Sequence, residues 1–138
     1  MTRHHLAVFW PVYLEMILAG RKQMECRLSR HPGPPYDQVA PGDWLWLKQS
    51  SGPILGRARV AHAACQRIGD PQALYAIHGE YNHMIRAQPG FWSQRTDCRY
   101  CTLLWLAEPV RTAPIYIRKS DRRAWVVLEG QPAWARTV

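Results

Sequence analysis

A chain of 138 residues is enough for one globular domain with its own core, and no second domain is expected within residues 1–138. An apolar share of 47% with seven tryptophans, against 20% charged residues, excludes a disordered chain. Eighteen Lys and Arg against ten Asp and Glu give a net charge of +8 and an isoelectric point near 9.8, which favours a polyanionic partner through counterion release.

In chain order, "HLAVF" (His5 to Phe9) reads as a short apolar strand, and Trp10-Pro11 opens a helix with proline in its first turn. Leu14, Ile17 and Leu18 share one helical face, widened by Tyr13 and Met16, and Gly20 stands where a left-handed cap ends the helix. Met24 to Ser29 reads as a strand with Glu25 and Arg27 on one face and Met24, Cys26 and Leu28 on the other. Arg30 to Asp43 has the proline and glycine density of a surface loop. "DWLWLKQ" and "ILGRARVAHA", joined through Ser50-Ser51-Gly52-Pro53, read as an antiparallel pair with Arg57 and Arg59 projecting as a basic stripe.

Asp70-Pro71 is a helix start, and Leu74, Ile77, His78 and Tyr81 come after it at helical spacing, up to Gln88-Pro89-Gly90. Tyr100 to Val110, "IYI" at 115 to 117 and "AWVVLE" at 124 to 129 read as further strands, and the tail from Gly130 to 138 carries little pattern apart from Trp134. The expected architecture is α+β: a small barrel of about six mostly antiparallel strands flanked by two or three helices, with connections too short for parallel crossovers.

The run "FWPVYLEMILAGRKQMECRLS", then "VAPGDWLWLKQSSGPILGRARV", resembles the ASCH domain family of the PUA-like superfamily. Its pattern falls on Pro11, on Gly20, Lys22, Glu25 and Arg27 (G-x-K-x-x-E-x-R), on Pro41, Gly42 and Asp43 before a strand, and on Gly56. The resemblance covers roughly residues 5 to 65 well and the rest in outline. It implies a PUA-like barrel whose cleft, lined by the motif strand, holds single-stranded RNA or a modified base.

On that reading Lys22 meets a phosphate as a point charge and Arg27 makes a bidentate contact to phosphate or base edge. Glu25 accepts hydrogen bonds from base amino groups or orients Arg27. Trp10 and Trp92 are the tryptophans best placed to stack on a base, and Arg57 and Arg59 add attraction. The bland alternative is an exposed Glu25–Arg27 ion pair worth under about 1 kcal/mol.

Two other classes compete with a binding module. Family members that deacetylate N4-acetylcytidine use a lysine, a threonine three residues on and a distant glutamate; here Lys22 is followed at that spacing by Glu25, so the hydroxyl nucleophile is missing. Glu80 is the candidate distant acid, with Tyr81 and His83 beside it, and cleavage of RNA by the basic pocket is a further hydrolytic option. A protein-interaction adaptor using the basic surface is the third.

Cys98-x-x-Cys101 with His78 and His83 is a weak zinc pattern, because two histidines five apart on a helix diverge; neither metal nor cofactor is expected. "RKSDRR", Arg118 to Arg123, either tracks a phosphate backbone or solubilises a turn. No apolar run approaches a membrane span, "MTRHHLAVFWP" is too short a leader, and four irregularly spaced cysteines suit reduced thiols, so a cytoplasmic protein is expected.

Overall fold

The computed structural model describes residues 2–119 and 121–137. Six strands and two helices run in the order β1 (His4–Phe9), α1 (Pro11–Leu18), β2 (Met24–Ser29), β3 (Trp44–Gln49), β4 (Ile54–Arg67), α2 (Pro71–Ile85), β5 (Tyr100–Ile115) and β6 (Trp125–Leu128). Short 3-10 turns lie at Ser93–Arg95 and Ala133–Thr137. The strands form one sheet in the order β2-β5-β4-β3-β1-β6.

All neighbours are antiparallel except β1 and β3, which run parallel. That pair corrects the expectation of connections too tight for a crossover: α1, β2 and the 30–43 loop together supply the length a parallel return needs. The sheet curls into a half-barrel because β4 and β5 are long and repeatedly irregular, with register shifts at Ile54/Gly56, Arg57/Arg59 and Val60/His62. "IYI" is not a strand of its own. β5 continues past a left-handed Glu108 (φ 51) and Pro109 to Ile115, and Tyr116 and Ile117 lie beyond its end.

Alternation sorts the core into layers. Ala7, Phe9, Leu45, Leu47, Val60, Leu104 and Trp125 fill the inside of the curl beneath Leu14 and Ile17 of α1. Met24, Cys26, Cys101 and Leu103 face the other way and are covered by Leu74, Ile77 and Ile85 of α2. A third cluster, Leu6, Trp46, Ile54 and Ala135, takes Trp134 of the tail, whose ring stands edge-on to Trp46 at 5.0 Å.

The end of α1 sets the course of β2. Gly20 adopts φ +78, its N–H donates to the Ile17 carbonyl and that of Arg21 to the Met16 carbonyl. This is a Schellman closure, for which the missing Cβ of glycine removes the left-handed penalty. It turns the chain sharply out of α1 and into β2, so residues 22 to 27 run past the end of α2, where the N–H of Gln23 donates to the Met84 carbonyl. No helix among the described residues is long and apolar enough to cross a membrane.

Candidate functional site

The curled sheet does not close. β2 at one end has only β5 as a neighbour, and β1 near the other end meets it through side chains instead of a backbone ladder. Arg27 makes that seam: its Nη2 donates to the Val8 carbonyl at 2.9 Å and its Nη1 to the Ala124 carbonyl at 3.3 Å. The guanidinium lies between the rings of Phe9 (4.8 Å) and Trp125 (5.2 Å).

Glu25 orients it. Its Oε2 accepts from Arg27 Nε at 2.7 Å, and its Oε1 accepts from the Cys26 N–H and from Lys22 Nζ, both at 3.1 Å. Burial would raise the Glu25 pKa, but the ammonium of Lys22 and the guanidinium of Arg27 outweigh it and hold the carboxyl below its ordinary range. Lys22 also donates to the carbonyl of Ile85, the last residue of α2, where a cation suits the negative end of the helix. Its ammonium sits over the Tyr13 ring at 5.1 Å.

Above this chain of charges opens a cavity of about 560 Å³. Lys22, Glu25 and Arg27 form its polar wall, Trp10, Tyr13 and Phe91 its aromatic one, and Gln94 and Arg95 stand on the loop after α2. Trp10, 64% exposed and stacked on Tyr13 at 6.3 Å, is the open face of the mouth. Tyr13 ties the two walls by accepting from the Gln88 N–H at 3.0 Å.

The structure therefore brings Trp10, Lys22, Glu25 and Arg27 together, but not the other residues singled out in the sequence. Lys22 is no exposed point charge: it is 2% exposed, with its ammonium engaged by Ile85 and Glu25. Arg57 and Arg59 lie on the opposite face of the sheet, with guanidinium groups 4.9 and 4.0 Å from the ring of Trp44. Arg59 also donates to the Gly42 carbonyl at 2.6 Å. Strand alternation separated them from small residues correctly, but which face the cleft occupies depends on the curl.

Trp92 is likewise displaced. It is buried, stacks on His78 at 5.0 Å and donates from Nε1 to Asn82 at 3.0 Å, so its neighbour Phe91 lines the cavity instead. Glu80 is exposed on α2, outside the cavity lining. Cys101 faces Cys26 (Sγ to Sγ 4.0 Å), and among the described residues no three metal-ligating side chains converge.

Phe91, Gln94 and Arg95 were not found from the sequence. "FWSQR" advertises aromatic and cationic content, but not which members face inward. Arg95 packs over Phe91 at 4.0 Å and donates to its carbonyl at 2.9 Å, making the pair one unit.

No protein-family model matches this chain and no curated protein matches it in sequence. Solved structures do. ASCH from Zymomonas mobilis superposes with a TM-score of 0.72 at 12% identity, covering 92% of this chain and 88% of that one. A mutant form of it gives 0.72 at 15%, covering 92% and 89%. A hypothetical protein, PH0355, gives 0.52 at 14%, covering 76% of this chain and 97% of that one. At such identities the likeness is one of fold, and the chain has the ASCH fold.

Proposed function

We propose that this protein binds single-stranded RNA by taking an unstacked base, standard or modified, into the 560 Å³ cavity at the seam of the half-barrel. The observation that carries the reading is the unspent hydrogen-bonding capacity of a mutually oriented pair, a buried Glu25 and a half-buried Arg27. An ionised carboxylate offers about four acceptor sites, and three are used on Glu25. A guanidinium has five N–H donors, and Arg27 uses three.

The free acceptor of Glu25 and a free donor of Arg27, held by their other bonds in the cavity wall, suit the edge of a base, and Trp10 at the mouth supplies a face to stack on. The net charge of Lys22, Glu25 and Arg27 is +1, which tolerates an attached phosphate.

Hydrolysis has less support. The cavity lining holds no serine, threonine or histidine. Its one thiol, Cys26, is held protonated by its hydrogen bond to Cys101 and by burial. Glu25, with its pKa lowered by Lys22 and Arg27, has no proton to give as a general acid.

The test is fluorescence anisotropy with a labelled single-stranded RNA at low salt. Trp10→Ala, on an exposed residue, weakens binding by about 1–3 kcal/mol without changing thermal stability. Equal affinity of variant and wild type, or no binding to any oligonucleotide, overturns the reading; the latter favours a protein partner. Incubation with N4-acetylcytidine yields no product, and product formed by the wild type but not by Lys22→Ala would establish the hydrolase instead.

A further inference from the structure

Beyond Arg27 lies a second cavity of about 300 Å³, sharing Arg27, Leu28 and Ala124 with the first. Phe9, on one side of the guanidinium, lines the larger cavity; Trp125, on the other, lines the smaller. Arg27 is thus a partition between two compartments of one groove along the open edge of β2.

The smaller compartment has the makings of a second stacking site. Pro34 and Tyr36 present apolar surface to it, and Tyr36 is braced edge-on against Tyr100 at 5.1 Å. The buried hydroxyl of Thr102 is a polar contact in the lining, and the exposed guanidinium of Arg123 stands at the rim. Of the two N–H groups of Arg27 left after its three bonds, one serves the base edge in the larger cavity and the other can donate to a phosphodiester spanning the partition.

We infer that the groove takes two consecutive nucleotides, one base in the larger cavity, the linking phosphate on Arg27 and the next base against Pro34 and Tyr36. This rests on the base-binding reading of the larger cavity and adds a length requirement to it: a free nucleotide fills one compartment only. Adjacency of the two cavities across Arg27, an aromatic in each and cations at the partition and the far rim favour a nucleotide over an unrelated small molecule.

Calorimetry with uridine 3′-monophosphate and with the dinucleoside monophosphate UpU tests it, since UpU adds the second nucleoside. UpU binds the wild type about tenfold more tightly. Tyr36→Ala removes the stacking surface, and Gly33→Phe, at a wall position where an added Cβ meets nothing within 4 Å, fills the compartment. Both bring the two ligands within about twofold of each other and leave the monophosphate affinity as it was.

Equal affinities in the wild type, or a tenfold gap surviving both variants, overturns the second compartment while leaving the first intact. If neither ligand binds, the base-binding reading fails, and the second site with it.

Discussion

Burial alone would raise the Glu25 pKa, and the flanking charges of Lys22 and Arg27 reverse that and hold the carboxyl below its ordinary range. Removing one member of such a set leaves an uncompensated charge, which costs more than the set as a whole contributes. Glu25→Leu is therefore expected to destabilise the fold by about 3 kcal/mol or more in urea denaturation, because the buried Lys22 ammonium loses its carboxylate. The double variant Lys22→Met/Glu25→Leu recovers much of that loss, because no buried ammonium is left without a counter-charge and Arg27 keeps its bonds to the Val8 and Ala124 carbonyls. A single-variant cost below about 1 kcal/mol would mean that water screens the ammonium. The same residues thus carry stability and the polar wall of the cleft, and only Trp10 at the mouth separates the two roles cleanly in experiment.

At the scale of elements, β1 is held in the sheet by two histidines that work as acceptors. Trp125 Nε1 donates to His5 Nδ1 and Trp46 Nε1 to His4 Nδ1, each at 3.1 Å. An indole N–H can only donate, so each Nδ1 must be bare, and His5 Nε2 carries the hydrogen given to Asp43 at 2.8 Å. Asp43 in turn accepts from the N–H groups of Arg3 and Ala40, pinning the P-G-D turn to β1.

Burial lowers both histidine pKa values, opposed at His5 by its bond to Asp43. With the folded values below 6.5, the unfolded chain takes up these protons first. Stability is therefore complete above about pH 6.5 and declines as pH falls below it, by at most about 1.4 kcal/mol per pH unit for each imidazole. His5→Gln keeps an acceptor and a donor but does not titrate, so its melting temperature falls less steeply between pH 6.5 and 5. Parallel acid limbs for wild type and variant would remove His5 from this account.

At the scale of the whole molecule, the net charge of +8 is spread over many cations, among them the 118–123 segment. Within Arg118 to Arg123, Lys119 and Arg123 share the carboxylate of Asp121 at 3.0 and 2.9 Å, while Arg118 and Arg122 are exposed. The bond to Arg123 foremost lowers the Asp121 pKa, so this partial neutralisation persists at neutral pH. Replacing Arg118 and Arg122 by glutamine is expected to weaken single-stranded RNA binding equally across sequences. It should also flatten the dependence of log K on log salt by about 0.7 for each lost phosphate contact. An unchanged salt slope would assign the segment to solubility alone.

Much of the local structure was legible from short-range chemistry. Proline after Trp10, the Leu14–Ile17–Leu18 face and Gly20 defined α1 and its end; alternation put Glu25 and Arg27 on one face; Asp70-Pro71 marked the start of α2, where Asp70 accepts from the Ala73 N–H. These features arise from bonds and packing between neighbours in the chain. What the chain alone left open was every matter settled by the curl: that β1 and β3 run parallel, that Arg57 and Arg59 face away from the cleft, and that Phe91 rather than Trp92 enters it. It also left open that the Lys22 ammonium meets the end of a helix 63 residues away. Periodicity tells which residues share a face, but only the closing of a sheet on itself decides which face encloses a cavity, because that depends on bulges and register between strands far apart in sequence.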